Sequence, residues 1–462
     1  MVRLFNTFFP RRTLMLAVSE SFLVLAALYI STRSFLSHGA GAEVHQRGLV
    51  NVFIASIVFL LCMYYYDLYD SPVLDNPREV KARLVQVVGT TSIILALMYS
   101  AYPVIELSRG TFFLGIFLVG ASLAGWRELF IALNRSPRLA ERAMFLGDGP
   151  LAIAIAEEIA KRHELGVRLV GYLGRASVSE NSPCGITRLG DFADLPRVIE
   201  DQQIDRVIVT MTDGRGRLPV ELLLKLKTRG VRIQDGADVY ETVTGKVPLA
   251  SLRLSWLLFS PGFSVSRSMR LYKRAVSILC SLAALLLMLP LMAVVAIAIR
   301  IDSDGPAIFR QKRMGKDGKV FTLFKFRSMR SGMNGESTFK AAEKNDDRVT
   351  RVGRWLRRSR LDELPQLYNV LRGDIDFVGP RPFVPEQELD LIEKIPFYTQ
   401  RLTINPGVTG WAQVNRGYCA TVEENVEKLA YDLFYIKNIS VALDMLILFR
   451  TVKTMILGRG GR

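Results

Sequence analysis

The sequence predicts a mixed membrane protein. It has an N-terminal four-helix transmembrane bundle, a central Rossmann-like α/β domain, and a C-terminal α-rich domain with a re-entrant membrane helix. Three observations predict this. Four apolar stretches fill the first third, each near the roughly 20 residues needed to cross a bilayer core. A strand, glycine turn and helix follow one another from Arg142. A fifth apolar run, Ala275 to Ile299, has Pro290 in its middle and basic residues on both flanks. The bulk composition agrees. The 462 residues carry a formal net charge of +16, with pI near 9.8 and mean hydropathy +0.22. A chain that is both apolar and basic fits a membrane protein whose charges meet the anionic cytoplasmic leaflet. Nucleic acid is the weaker explanation of the charge because the apolar segments are so long.

The first region, 1–135, holds the spans at about 14–32, 49–66, 84–105 and 111–131. The first reads as a span rather than a cleavable signal, since three more follow and no small-residue cleavage site stands out. Tyr64-Tyr65-Tyr66 forms an interfacial aromatic belt. Arg3, Arg11 and Arg12 precede the first span, and Arg78, Lys81 and Arg83 lie between the second and third. Arg127, Arg135, Arg138 and Arg142 close the fourth, whereas the other two loops hold only Arg33, Arg47 and Arg109. The positive-inside rule then places both ends of the bundle in the cytoplasm.

Residues 142–260 alternate strands and helices. Ala143 to Leu146, Val167 to Leu173 and Arg206 to Met211 read as strands, with helices from Ile153 to Ile159 and Leu218 to Lys227. Gly147-Asp148-Gly149-Pro150-Leu151-Ala152 is a G-x-G-x-x-A turn. An acidic residue is expected after the second strand, where this chain reads Gly171-Tyr172-Leu173-Gly174. This nucleotide- or CoA-binding-like domain therefore reads more as a regulatory or structural module than as a nucleotide site.

The C-terminal domain, 268–462, opens with the fifth apolar run. Arg270, Lys273 and Arg274 precede it, and Arg300, Arg310, Lys312 and Arg313 follow. A spanning helix would expose one basic flank outside. A helix over about 273–301, bent at Pro290 and returning to the same face, satisfies both. Val352, Trp355 and Leu356 at helical spacing among arginines give an interfacial basic amphipathic helix, or a packed helix with a solvated basic face. Val441 to Leu457 repeats the pattern. The cysteines Cys62, Cys184, Cys280 and Cys419 form no CxxC, which argues against a zinc site or disulfide framework. The three histidines, His38, His45 and His163, all precede this domain, so carboxylates, arginines and lysines must carry any chemistry in it.

The pair Asp362-Glu363 stands between an arginine cluster (Arg348, Arg351, Arg354, Arg357, Arg358, Arg360) and Gly379-Pro380-Arg381-Pro382. Adjacent carboxylates can hold a divalent cation or attack phosphorus, and guanidiniums can clamp phosphoryl oxygens. Pro365 limits helix continuation and helps set where the carboxylates point.

These residues resemble the bacterial sugar transferases, the monotopic polyprenyl-phosphate phosphoglycosyl transferases. The matching runs are Ile308 to Gly315, Phe324 to Met329, Arg348 to Gly353, Leu361 to Leu367, Asp376 to Pro382, Pro406 to Asn415, and Tyr431-Asp432 with Asn438 and Leu443-Asp444. The layout upstream resembles the long members that initiate exopolysaccharide and O-antigen synthesis. The resemblance implies a catalytic domain on the cytoplasmic face of the bacterial inner membrane, in a multi-pass protein. It implies a UDP-sugar donor, undecaprenyl phosphate as acceptor, membrane lipids as surroundings, and a Mg²⁺ cofactor; a homodimer is compatible with it. Asp362 would be the nucleophile on the β-phosphate, and UMP would leave. Glu363 would assist with metal and proton. Both would be metal ligands. Arg381 would bind phosphate, as would Arg313 and Arg348 in the matching runs. Lys325 and Arg327 are expected to contact phosphate or to support the site. Asp432 and Asp444 are further candidates, each able instead to cap a helix or pair with an arginine. The family often has Ser-Pro at the re-entrant bend where this chain has Leu289-Pro290. Glucose and galactose are the leading sugars by the same resemblance.

Two other functions compete. A membrane-anchored nucleotide-sugar dehydratase or epimerase would need a second, complete glycine fingerprint and a Tyr-x-x-x-Lys pair, neither of which appears in context. A non-enzymatic regulator of polysaccharide export would leave the acid pair and its arginines unexplained.

Overall fold

The computed structural model describes residues 2–4, 7–35, 42–74, 76–103, 107–134, 140–174, 185–211, 218–251, 262–263, 265–330, 348–417 and 421–457. Arg135, Arg138, His38, Cys184 and Cys419 lie outside these residues. The chain forms two compact units, which meet in sequence between Thr244 and Gly245.

In the first unit, four long helices come first: α1 (Arg11–Phe35), α2 (Ala42–Tyr65), α3 (Pro77–Ala101) and α4 (Arg109–Asn134). They share an apolar core that includes Leu28, Phe59, Met63, Val87, Leu95 and Leu123. Their other faces leave Phe22, Ile93, Leu97, Phe113 and Phe117 exposed, as a lipid-facing surface requires. Inside, Arg127 of α4 holds Glu20 of α1 at 2.6 Å and donates to the Leu68 carbonyl at 3.0 Å. This buried pair ties two helices to the chain that follows α2.

A five-stranded parallel sheet completes the unit. Its strands are β1 (Glu141–Leu146), β2 (Val167–Leu173), β3 (Arg188–Gly190), β4 (Arg206–Val209) and β5 (Arg232–Asp235), in the order β3-β2-β1-β4-β5. The central strand β1 is buried on both faces. Ala143 and Phe145 pack under α5 (Pro150–Ala160), and Met144 and Leu146 pack against the opposite layer. That layer contains α6 (Leu195–Gln202) and α7 (Val220–Thr228), while α8 (Gly236–Thr244) shares the side of α5. Strand alternation with period two makes the sheet's two cores from one continuous apolar run. Gly147 has φ +113°, and a Cβ there would meet the Met211 amide nitrogen at 3.0 Å. The tight turn is therefore built. Asp148 sits inside it, beside Gly174, and Pro150 removes an amide from the first turn of α5.

The longest helix of the second unit is α9 (Arg267–Asp302), 36 residues that are helical across Pro290. At about 1.5 Å per residue the path along its axis is roughly 54 Å. Pro290 has no amide hydrogen to offer the carbonyl four residues back. Both ends of α9 pack on this unit. Arg274 donates to the carbonyls of Val370 and Leu371 at 2.8 and 2.7 Å. Val295 and Ile299 pack with Phe326 and Leu356. Between them Leu286, Leu287 and Leu289 are 60–73% exposed. All told, five helices among the described residues are long and apolar enough to cross a membrane.

After α9, β6 (Ile308–Met314) and β7 (Val320–Phe326) form an antiparallel ribbon in which Phe309 faces Lys325. Then come α10 (Arg351–Ser359), α11 (Gln366–Arg372), β8 (Asp376–Val378), α12 (Pro385–Lys394), β9 (Gly407–Thr409), α13 (Trp411–Asn415), α14 (Val422–Lys437) and α15 (Val441–Ile456). Leu433, Phe434 and Ile436 of α14 centre the largest core of this unit, with Leu391, Trp411, Leu443 and Ile447 around them.

Candidate active site

Apolar spacing aims the acid pair. Thr350 caps α10 through its hydroxyl, which accepts from the Gly353 amide at 2.9 Å. Gly353 lies against Ser328, and a Cβ there would fall 2.0 Å from the Ser328 carbonyl oxygen. Only glycine lets α10 dock this closely on the segment after β7. Arg360 ends α10 in the left-handed conformation, φ 60° and ψ 12°, uncommon for a residue with a side chain. A short 3₁₀ turn, Leu361–Glu363, follows. Leu361 and Leu364, three apart, turn inward against Phe326 and Leu356. Asp362 and Glu363 between them face the other way.

Three cations converge on one carboxylate oxygen. Lys325 Nζ lies 3.0 Å from Glu363 Oε1, Arg381 Nη2 3.5 Å and Arg360 Nη1 3.8 Å. Burial alone would raise the Glu363 carboxyl, but Lys325, Arg381 and Arg360 outweigh it and bring it down to about 2. Asp362 is 9% exposed. Its carboxyl is raised by burial and by neighbouring Glu363, against the opposing pull of Lys325, Arg357 and Arg360. Among the described residues, no hydrogen bond or ion pair ties down the Asp362 carboxylate. Burial and the nearby Arg381 lower the Arg313 guanidinium to about 10. Its Nε is buried without a partner, and its Nη1 donates to the Pro382 carbonyl at 3.1 Å. Four cations thus surround two carboxylates, an excess of positive charge that suits a multiply charged anion.

Glycines hold Arg381 in place. Strands β8 and β9 pair in parallel, with Asp376 opposite Gly407 and Val378 opposite Thr409. The Gly379 amide donates to the Thr409 carbonyl at 2.9 Å, and the Gly407 amide to the Pro380 carbonyl at 2.9 Å. A Cβ at Gly407 would lie 2.1 Å from the Gly379 nitrogen. The Gly379-Pro380-Arg381-Pro382 and Pro406-Gly407-Val408-Thr409-Gly410 blocks are therefore two sides of one closure.

The remaining sequence candidates have contacts of their own. Arg327 is buried and donates to the carbonyls of Ser303 at 2.6 Å and Asp304 at 2.7 Å, so it supports the exit of α9. Arg348 is exposed, and its carbonyl accepts from the Arg330 amide at 2.8 Å. Asp444 pairs with Lys273 at 3.1 Å and accepts from the Tyr435 hydroxyl at 2.6 Å. Asp432 accepts from Arg401 at 3.2 Å. Pro290 lies within α9, far along the chain from the acid pair.

Arg401 itself escaped the sequence reading. It is 3% exposed, holds Glu388 at 2.8 and 3.0 Å, and donates to the Arg381 carbonyl at 2.8 Å. A single arginine in a short 3₁₀ stretch carries no motif. Only the residues it meets reveal it.

Known proteins resemble this chain in both of its parts. Residues 268–458 match the bacterial sugar transferase family, and residues 65–234 match a CoA-binding domain family. The UDP-N-acetylgalactosamine-undecaprenyl-phosphate N-acetylgalactosaminephosphotransferase of Aeromonas hydrophila is 41% identical over 232 residues, which cover 49% of this chain and 52% of that protein. The UDP-glucose:undecaprenyl-phosphate glucose-1-phosphate transferase of Xanthomonas campestris pv. campestris is 29% identical over 97% of this chain and 94% of its own length. A Klebsiella pneumoniae protein with that same name is 34% identical over 67% of each chain.

Proposed function

Because the chain belongs to the bacterial sugar transferases of the long type, we propose that it moves a sugar-1-phosphate from a UDP-sugar to undecaprenyl phosphate. One observation carries the reading: an unpaired, buried Asp362 beside a Glu363 on which Lys325, Arg360 and Arg381 converge. The cations bind the diphosphate, and the low Glu363 carboxyl stays ionised to keep them in place. An Asp362 oxygen attacks the phosphorus that bears the sugar. The bond from that phosphorus to the bridging oxygen breaks, and UMP leaves with the electron pair. An oxygen of undecaprenyl phosphate then attacks the same phosphorus and expels the Asp362 carboxylate. The product is undecaprenyl-diphosphate sugar, the first membrane step of exopolysaccharide or O-antigen synthesis.

The residues fit a magnesium ion of limited protein ligation. Among the described residues no three acidic or histidine side chains cluster. Mg²⁺ commonly takes one or two carboxylates and fills its shell with water and substrate phosphates, and Asp362 and Glu363 could supply the carboxylates. Such an ion would neutralise diphosphate charge as UMP leaves.

The proposal includes re-entry of α9 and a cytoplasmic active site in the inner membrane. Its support is the packing of both helix ends on one unit, with the apolar midsection around Pro290 exposed. Single cysteines at residues 268 and 305, with native cysteines replaced, should resist an impermeant thiol reagent in intact cells. Labelling at 305 from outside would mean a spanning helix.

Membranes incubated with a panel of UDP-sugars labelled in the sugar test the activity. Label in lipid together with released UMP is expected, and the productive donor names the sugar. Altered free nucleotide-sugar without lipid label would indicate a dehydratase or epimerase, and no change at all would indicate a regulator.

A further inference from the structure

A cavity of about 850 Å³ opens where α9 ends and β6 begins. Ala296 and Ile297 from the helix and Ile308 and Phe309 from the strand give it apolar walls. Arg300, Arg310 and Arg327 also line it, and no acid does. Arg300 and Arg310 are exposed. Arg327 is 5% exposed, and its Nε is buried with no hydrogen-bond partner. Its other nitrogens are committed to carbonyls of the helix exit, so it is a fixed wall and not a mobile surface arginine. Gly305, at φ +113°, permits this: a Cβ there would lie 2.3 Å from Arg327 Nη1.

Three guanidiniums without a lining acid call for an anion. The walls call for hydrocarbon. A soluble nucleotide would leave those walls unused. An amphiphile with a phosphate head fits both, and the exposed Val294 and Ile297 of α9 extend the apolar wall away from the cavity. The ladder links the cavity to the chemistry. Phe309 lies directly opposite Lys325, and Lys325 holds Glu363.

We propose that this cavity seats the phosphate end of the polyprenyl phosphate acceptor, with Arg300 and Arg310 on the phosphate and the first isoprene units against Ala296, Ile297, Ile308 and Phe309. The assignment rests on the transferase reading above. It places the acceptor on the α9 side of the ribbon, apart from the Arg381 side where the diphosphate donor binds. The two half-reactions then use different cations.

The test separates them. In purified full-length protein, release of UMP from a UDP-sugar without acceptor reports the first half-reaction. Formation of lipid-linked sugar reports the second. The Arg300→Gln/Arg310→Gln double variant should keep acceptor-free UMP release within about twofold, while the KM for polyprenyl phosphate rises about tenfold, the equivalent of about 1.4 kcal/mol. An unchanged acceptor KM, or an equal fall in both half-reactions, would overturn the proposal. Nanodiscs of phosphatidylcholine alone and with phosphatidylglycerol supply the second arm. If the double variant loses only a stimulation by phosphatidylglycerol, the occupant is a phospholipid and the proposal is wrong. Photocrosslinking with a polyprenyl phosphate probe is independent of turnover. It should label residues 296–310 in the unsubstituted protein and fall in the double variant. Labelling confined to other segments would reject the cavity even if the transferase activity stands.

Discussion

Two charged clusters in the C-terminal unit are mirror images, and their difference separates chemistry from architecture. At Glu363 one carboxylate gathers Lys325, Arg360 and Arg381. At Arg401 one guanidinium gathers Glu388, Asp432 and the Tyr398 hydroxyl. The Arg401 cluster is closed: its arginine is 3% exposed and Glu388 is 0% exposed. The Glu363 cluster keeps surplus positive charge, a 34% exposed Arg381 side chain and an unpaired Asp362 beside it. Burial lowers Arg401, but Tyr398, Glu388 and Asp432 more than reverse that, so it stays charged at any pH the protein meets. A closed buried network whose groups all meet partners fixes the chain, whereas a partly open one with surplus positive charge waits for a ligand. The two are joined, because Arg401 holds the carbonyl of Arg381.

The strongest way to break this contrast is at Asp362. Asp362→Asn should lower UMP release by about three orders of magnitude or more, as loss of a covalent nucleophile does. Thermal stability should hold or rise, since the amide removes a buried carboxyl that sits beside Glu363. Substantial residual UMP release from the purified variant would refute the nucleophile assignment.

Next comes the closed network. Arg401→Met leaves Glu388 and Asp432 buried without their cation. It should cost about 3–5 kcal/mol of stability, read as a lower unfolding temperature in detergent. Adding Glu388→Gln and Asp432→Asn should recover much of that loss, because the uncompensated charges are then gone. A single variant that unfolds normally yet loses turnover would move Arg401 from architecture into chemistry.

Much of the first cluster could be read from the sequence. Asp362, Glu363, Arg381 and Lys325 stand in dense motif runs, and Lys325 and Arg381 do meet at Glu363, beside Asp362. The runs could not say which charged residues face which. Asp432 and Asp444 looked like site candidates, but their partners, Arg401 and Lys273, lie 31 and 171 positions away in the chain. In the first unit, the strand–turn–helix of residues 141–160 was legible from apolar runs and Gly147. Strand β3 and helix α6 were not, because Arg188–Gly190 is only three residues long and α6 has few apolar positions. Gly147 foretold the tight turn, since its φ of +113° is one that side chains rarely adopt.

The finest test uses pH. The proposed mechanism needs Asp362 ionised, so UMP release should fall as pH drops through its carboxyl pKa. Burial and Glu363 raise that pKa, which moves the acid limb above the ordinary aspartate range. Glu363, held at about 2, contributes no limb near neutrality; its stabilising ion pairs are lost only as pH falls towards that value. Lys325→Met removes a cation that favours ionised Asp362, so the limb should shift to higher pH. Glu363→Gln removes the like charge that opposes ionisation, so the limb should shift to lower pH. Both variants will be slower, but the direction of the limb is independent of rate. Shifts of the same sign would mean that the limb belongs to the substrate phosphates and not to Asp362, and the unpaired carboxylate would then have to be read as structural, like the acids around Arg401.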